Sequence, residues 1–358
     1  MRVNINGVNS STSFYNLEIQ NVEGNSHLLP SRAFKKIPNI SEKQHINEVV
    51  INIKKEYINK DTDNVELEDK LKRASTKDEV NIVTFFGNND VELKDLIKYR
   101  DVGLLASFES LYNDHLVSIP FSFKFRQDGF GSEKINKEIM TYLDGFIGST
   151  ANKKNILGYV PAYSWYRDIE SLVKFYSDEL GSTSSKEKYT YVPLLIDYKS
   201  CNVDRFKRST AILNELKRKY LKDNVYLLYY AFSVSTPRLT RKKNKEVKNS
   251  VILGKTLAKE FLLSFLGFDI IGSAHAKQLY NTQKAVPPEP KKVGEFKDQD
   301  FFYYPSSNKE FPNVHKIRNM EIQNDYLEKL SKTVAQDSEL PAKELRKRKE
   351  ASEYVQSY

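Results

Sequence analysis

The sequence predicts an α/β protein, a (β/α)8 barrel of the TIM type, on three observations. Short apolar strands alternate with amphipathic helices from Val80 to Ile271. About eight strand candidates fall between Phe14 and Ile271 of a 358-residue chain, a number and a length that suit a barrel. The strands of the second half, such as YVPLLIDY at 191–198, are near-continuous apolar runs. Parallel strands covered on both faces read that way. An open sheet is the alternative arrangement of the same elements.

Residues 1–78 form an irregular N-terminal part, with one strand read at FYNLEIQNV (14–22). The run EVVINIKKEYI at 48–58 favours strand by its β-branched content. Residues 61–77 are strongly charged, a helix or a solvated loop. From Val80 to Phe86 a buried-type strand ends in the turn cluster Gly87-Asn88-Asn89. A short helix follows at 91–99, then strands at 102–108 and 117–125. Pro120 marks the second of these as an edge or an irregular strand. A helix is read at 133–143, and short strands at 145–148 (GFIG) and 156–160 (ILGYV).

Ile169, Leu172, Val173, Tyr176 and Leu180 make one helical stripe across 168–180. The strand at 191–198 leads to a helix at 205–221 with Leu213, Leu216 and Tyr220 inward. A second buried strand spans 225–234. Leu257, Ala258, Phe261, Leu262 and Phe265 fall at helical spacing, and Gly267 sits where a helix C-cap glycine belongs. Phe268, Ile270 and Ile271 then form the last strand. The barrel is thus expected at 1–283, a Pro/Lys-rich linker at 284–299, and a C-terminal helical extension at 300–358. In the extension Ile322, Tyr326 and Leu330 define an amphipathic helix.

Composition limits the function classes. No apolar run approaches the ~20 residues of a membrane helix, and the N-terminus shows no apolar signal region. Cys201 is the only cysteine, so an internal disulfide framework and a Cys-rich zinc site are excluded. A cytoplasmic location is the default. The five histidines, at 27, 45, 115, 275 and 315, lack metal-ligand spacing, and no metal is expected. No phosphate-binding loop or dinucleotide fingerprint follows a strand, so no cofactor is expected either. The formal net charge of +9 favours an anionic partner, nucleic acid above all. A lysine-rich surface without a ligand gives the same number.

The run GFDIIGSAHAKQLY at 267–280 resembles the last barrel strand of archaeal-type tRNA-guanine transglycosylases. That family carries Gly-x-Asp-[Leu/Met]-Phe-Asp-Ser-Ala before a tyrosine-bearing helix start. Gly267, Asp269, Ser273 and Ala274 match it, and Gly272 stands where the family has its nucleophilic Asp. ILGYVPAYSWYRDIESLV at 156–173 is similar to the family's Gly-Gly-Val-Val-Pro segment before a Tyr-Arg helix, through Gly158, Val160, Pro161, Tyr166 and Arg167. LLASFES at 104–110 is similar to the Asp-Ser-Gly-Ala-Phe-Gln substrate loop. There Phe108 matches, Glu109 stands for the Gln, and the Asp falls on Leu104. NVHKIRNMEIQNDYLEKL at 313–330 resembles the segment after the family's zinc knuckle, although His315 and Asn319 do not keep its spacing. The knuckle itself has no counterpart. These segments occur in family order, and they imply that fold without its zinc and without its usual nucleophile.

In a barrel, function gathers on the loops at the carboxyl ends of strands. Glu109, Lys124, Arg126, Asp128, Ser149, Tyr163, Asp197, Lys199, Ser233, Arg238 and Ser273 are expected there. Base exchange at a glycosidic bond needs a carboxylate to attack the anomeric carbon and a second group to move protons. Asp197, ending YVPLLID, is the best-placed carboxylate, unless it only caps the turn through Lys199 and Ser200. Asp269 matches a family position read as holding the strand end, with catalysis as its alternative role. The resemblance implies Phe108, Glu109 and Ser273 as substrate contacts. His275 joins them because it follows the strand end, or else it is a satisfied structural histidine. The loop STPRLTRKKNKEVKNS at 235–250 places Arg238, Arg241, Lys242, Lys243 and Lys245 where they could meet phosphates, or where they are simply solvated.

The function expected is therefore that of a tRNA-guanine transglycosylase-like protein binding tRNA or another nucleic acid for 7-deazaguanine-type base modification. It would act as a non-catalytic subunit beside a catalytic partner subunit, or as a homodimer, or as an enzyme with a re-sited carboxylate. Two other readings fit the same residues. One is a barrel enzyme acting on a small phosphorylated or anionic substrate. The other is a nucleic-acid-binding protein of a mobile element.

Overall fold

The structure, a computed structural model, describes residues 27–28, 46–53, 69, 72, 80–87, 116–118, 121–122, 133–150, 153, 156–162, 164, 166–183, 190–198, 203–232, 241–243, 251–253, 256–271, 294–305, 319, 322–323, 325–326, 329, 340–348 and 351–352. The strands and helices read at 14–22, 91–99 and 102–108 lie outside them.

Three apolar runs build the centre: β6 (Ile156–Pro161), β8 (Thr190–Asp197) and β9 (Val225–Phe232). Every residue of β6 is buried, and every residue of β8 except Thr190 is buried. Earlier in the chain come β1 (His27–Leu28), β2 (Ile46–Ile53), β3 (Val80–Gly87), β4 (Leu116–Ser118) and β5 (Phe121–Ser122). The strand expected at 117–125 is thus two pieces on either side of Pro120. With β7 (Ser182–Thr183) and β13 (Ile270–Ile271) these make one sheet, ordered β1-β13-β9-β8-β6-β4-β3-β2, with β5 on β3 and β7 on β8. Neighbours from β2 to β13 along this path are parallel, and β1 lies antiparallel on β13. The parallel strands follow one another in chain order. Among the described residues β2 pairs with β3 alone.

A proline inside a central strand normally breaks the ladder. Pro193 escapes this through register. On its side of β8, the pairing with β7 ends at Tyr191 and the pairing with β6 begins at Leu194, so Pro193 falls between the two paired stretches.

Three helices connect these strands: α1 (Glu133–Gly148), α2 (Tyr166–Leu180) and α3 (Val203–Lys222). The short strand expected at 145–148 is instead the last turn of α1. Tyr142, Leu143, Phe146 and Ile147 bury at helical spacing, and Ser149 Oγ donates to the Gly145 carbonyl at 2.8 Å. Four residues of GFIG were too few to distinguish the periods.

Side chains alternate across a strand, and register shows which face each takes. Gly158, Leu194 and Tyr229 lie level, facing the helices. The Tyr176 ring of α2 lies against Gly158, and the Tyr229 hydroxyl donates to the Leu213 carbonyl of α3 at 2.8 Å. Tyr159, Leu195, Asp197, Tyr230 and Phe232 face the other way, and all five are buried. Strand order does not reverse among the described elements, and α2 and α3 cover the same face. A doubly wound sheet reverses its order and carries helices on both faces.

After β9 the chain forms a two-stranded ribbon, β10 (Arg241–Lys243) against β11 (Val251–Leu253). The single helix expected through Leu257–Phe265 is divided. β11 and β12 (Thr256–Leu257) precede a one-turn helix, α4 (Lys259–Leu262), and a 3-10 turn at Leu263–Phe265. Gly267 follows at φ +87°, and the Phe268 N–H closes back on the Leu263 carbonyl at 3.2 Å. The stretch 284–299 ends in a strand: β14 (Gly294–Lys297) pairs with β15 (Phe302–Pro305), which pairs with β12. Phe261, Phe265, Phe296 and Phe301 bury a second core against this small sheet, joined by Leu345 of α5 (Leu340–Arg346). No helix among the described residues is long and apolar enough to cross a membrane.

Candidate functional site

The carboxyl end of β8 carries the buried carboxylate of Asp197, 0% exposed. Its strand neighbours at that level are Pro161 of β6 and Phe232 of β9. The Ala162 N–H donates to the Asp197 carbonyl at 3.0 Å, and the Tyr198 N–H to the Phe232 carbonyl at 2.9 Å. These bonds fix the three strand ends side by side.

A buried carboxylate needs hydrogen-bond donors to offset its lost hydration. Tyr159 supplies one: its hydroxyl donates to Asp197 Oδ2 at 2.9 Å. Tyr159 is itself held from behind, because the Tyr176 hydroxyl donates to its carbonyl at 2.9 Å. Tyr176 reaches that carbonyl only because residue 158 is glycine. A Cβ there would lie 2.5 Å from Tyr176 Cγ. The path Tyr176–Tyr159–Asp197 thus crosses the sheet from the helix layer to the opposite face. Two buried hydroxyls nearby have no hydrogen-bond partner: Ser164 Oγ, on the turn leaving β6, and Tyr142 Oη on α1. Burial, and after it the neighbouring Tyr176, pushes the Tyr142 phenol well above its ordinary range.

Asp269, the other carboxylate singled out by sequence, is buried on the helix side. Its Oδ2 accepts from Lys217 Nζ at 2.8 Å and from the Tyr229 N–H at 3.0 Å, and its Oδ1 accepts from the Tyr226 hydroxyl at 2.7 Å. Lys217 also donates to the Gly267 carbonyl at 2.6 Å and lies over the Tyr226 and Tyr229 rings. Burial alone would raise Asp269, but the Lys217 charge and these hydrogen bonds outweigh it and hold the carboxyl below its usual range. The arrangement ties α3 to β9 and to the start of β13. Asp197 and Asp269 therefore occupy opposite faces of the sheet, and the two cannot share one reacting group.

Of the remaining predicted residues, Ser149 closes α1 and so precedes β6, at the amino end of the strand and not on the carboxyl rim. Arg241, Lys242 and Lys243 form β10, each opposite an apolar residue of β11 (Leu253, Ile252 and Val251). Phe108, Glu109, Lys124, Arg126, Asp128, Tyr163, Lys199, Ser200, Ser233, Arg238, Lys245, Gly272, Ser273 and His275 lie outside the described residues. Sequence reasoning passed over Tyr159, which sits inside the apolar run ILGYVP and reads as core. No group of three His, Cys, Asp or Glu that could hold a metal occurs among the described residues.

Comparison of the chain with protein-family models, with curated proteins and with solved structures gives no match.

Proposed function

We propose that the chain is a divergent relative of the tRNA-guanine transglycosylases, built as a (β/α)8 barrel. In this reading it binds tRNA in the cytoplasm for 7-deazaguanine-type base modification, as the non-catalytic partner of an active subunit. The observation that carries the reading is the place of Asp197. It closes a central parallel strand, on the face turned away from the helices, at the edge where barrels and open α/β sheets gather their ligands. Parallel strands succeeding one another in chain order, with helices on one face, support the barrel. The net charge of +9 supports a polyanionic partner.

Two features favour binding over turnover. Gly272 occupies the family's nucleophile position. Asp197 is enclosed and bonded to Tyr159, so attack on an anomeric carbon would first require the rim to open.

The test is tRNA binding across a salt series starting near 50 mM, followed by exchange of labelled guanine into tRNA. Binding with a steep log–log salt slope supports the proposal, and absence of binding at the lowest salt ends it. Guanine exchange by the wild type that disappears in Asp197→Asn would turn the non-catalytic partner into an enzyme with a re-sited carboxylate. Exchange that survives Asp197→Asn removes Asp197 from the chemistry.

A further inference from the structure

Part of the basic stretch at 235–250 is strand. Arg241, Lys242 and Lys243 form β10, paired antiparallel with Val251–Leu253 of β11. Register sets Leu253, Ile252 and Val251 opposite the three cations, so no carboxylate stands across the ribbon from any of them. Glu246 is the one acid from residue 224 to residue 259. Strand formation does not call for the charges. Lysine is depleted in strands, and the valine and isoleucine of β11 supply the strand preference. Lysine on an edge strand discourages pairing with another chain, a need that one such residue meets. Three successive cations exceed it.

The ribbon is tethered at its base, where Arg241 pairs with Leu253. The chain enters nine positions after Phe232 and leaves three positions before Thr256 of β12, which is itself fixed on β15. Phe232 lies level with Asp197 at the carboxyl edge of the sheet. Chain length therefore keeps Arg241 within about 30 Å of that rim. Successive residues of a strand take opposite faces, so Arg241 and Lys243 hold one face of β10 and Lys242 the other. A flat anionic surface, such as a membrane, would engage one face alone. Two phosphate chains with a groove between them engage both. Arg241 and Lys243 stand about 7 Å apart along the strand, close to the step from one phosphate to the next.

We propose that the β10–β11 ribbon is an arm that lies in a groove of a tRNA stem, with Arg241 and Lys243 toward one phosphate chain and Lys242 toward the other. The choice of tRNA rests on the function proposed above. The strand pairing is what sorts the three charges onto two faces, which an unpaired basic run would not do.

The test compares wild type with R241T/K242T/K243T and with V251G/I252G, using unmodified tRNA and duplex DNA of similar mass as probes. Threonine favours strand, so the first variant removes charge and keeps the ribbon. The second keeps all three cations and weakens the ribbon. Circular dichroism and melting check the fold, and K242T alone serves if the triple variant does not fold. The expected result is a loss of at least about tenfold in tRNA affinity for the triple threonine variant, with the salt slope smaller by about two to three. V251G/I252G should also bind more weakly than wild type. Unchanged affinity in that variant overturns the ribbon as the binding form. Wild-type tRNA binding that the threonine changes leave intact overturns the arm and leaves the proposed function standing. Absence of wild-type tRNA binding overturns both. Duplex DNA bound as tightly as tRNA overturns the assignment to a tRNA stem.

Discussion

The hydroxyl of Tyr159 donates to Oδ2 of Asp197 across 2.9 Å, joining β6 to β8 on the face that α2 and α3 leave uncovered. Both residues are buried, so the bond is not exchanged for one to water. Tyr159→Phe should leave the carboxylate short of a donor and cost about 1–3 kcal/mol. Urea unfolding measures this, and an unchanged midpoint would show that the bond contributes nothing.

Tyr142→Phe should go the other way. Its hydroxyl is buried with no partner, so its removal gives up no bond and relieves a desolvation cost. A gain of about 1 kcal/mol is expected. The two tyrosine-to-phenylalanine changes therefore have opposite signs on one chain. Two losses of equal size would contradict the assignment of partners.

Gly158→Ala should destabilise by about 1–3 kcal/mol or more, because overpacked cores must shift. The added Cβ would meet the Tyr176 ring at 2.5–2.7 Å, and that ring is fully buried. Tyr176→Leu in the same chain should recover part of the loss. Thermal melting of the single and double variants checks the coupling.

Lys217→Met should strand the Asp269 carboxylate inside the protein, at a cost of about 3–5 kcal/mol. The two side chains are 13% and 0% exposed, so solvent screens them little. The same pair sets a pH dependence. Asp269 titrates lower in the folded protein than in the unfolded chain, where an aspartate titrates near 3.9. Its contribution is therefore complete above about pH 4 and is lost as pH falls through the lower folded-state value. Asp269→Asn should abolish that loss. Urea midpoints at pH 7 and pH 3 test it: the wild type should fall further between them than the variant.

The sequence made some of this legible for identifiable reasons. The long apolar runs at 191–198 and 225–232 could only be buried strands, and the stripe from Ile169 to Leu180 could only be a helix. The strand end at Asp197 followed from where YVPLLID stops. Its partner did not follow, because Tyr159 reaches Asp197 only through a register between strands 38 positions apart in sequence, which no local pattern encodes. Lys217 and Asp269 stand 52 positions apart, and the same limit hid their pairing. Local ambiguity caused the other differences. GFIG was too short to tell a helix end from a strand. The helical spacing of Leu257 through Phe265 concealed a strand because Leu257 suits either element. The Pro/Lys-rich stretch 284–299 reads as a linker on composition. Phe296, buried within it among Phe261, Phe301 and Tyr303, was the contrary signal.

Pro193 also constrains how β8 can be laid down during folding. Its ring nitrogen offers no proton, and it lies between the stretches of β8 paired with β7 and with β6. Sliding the strand by one residue would turn the proline toward β9, where the ladder uses an N–H, and would turn every side chain to the wrong face. Misalignment is thus penalised twice, and a single imino acid helps to proofread the assembly of the middle of the sheet.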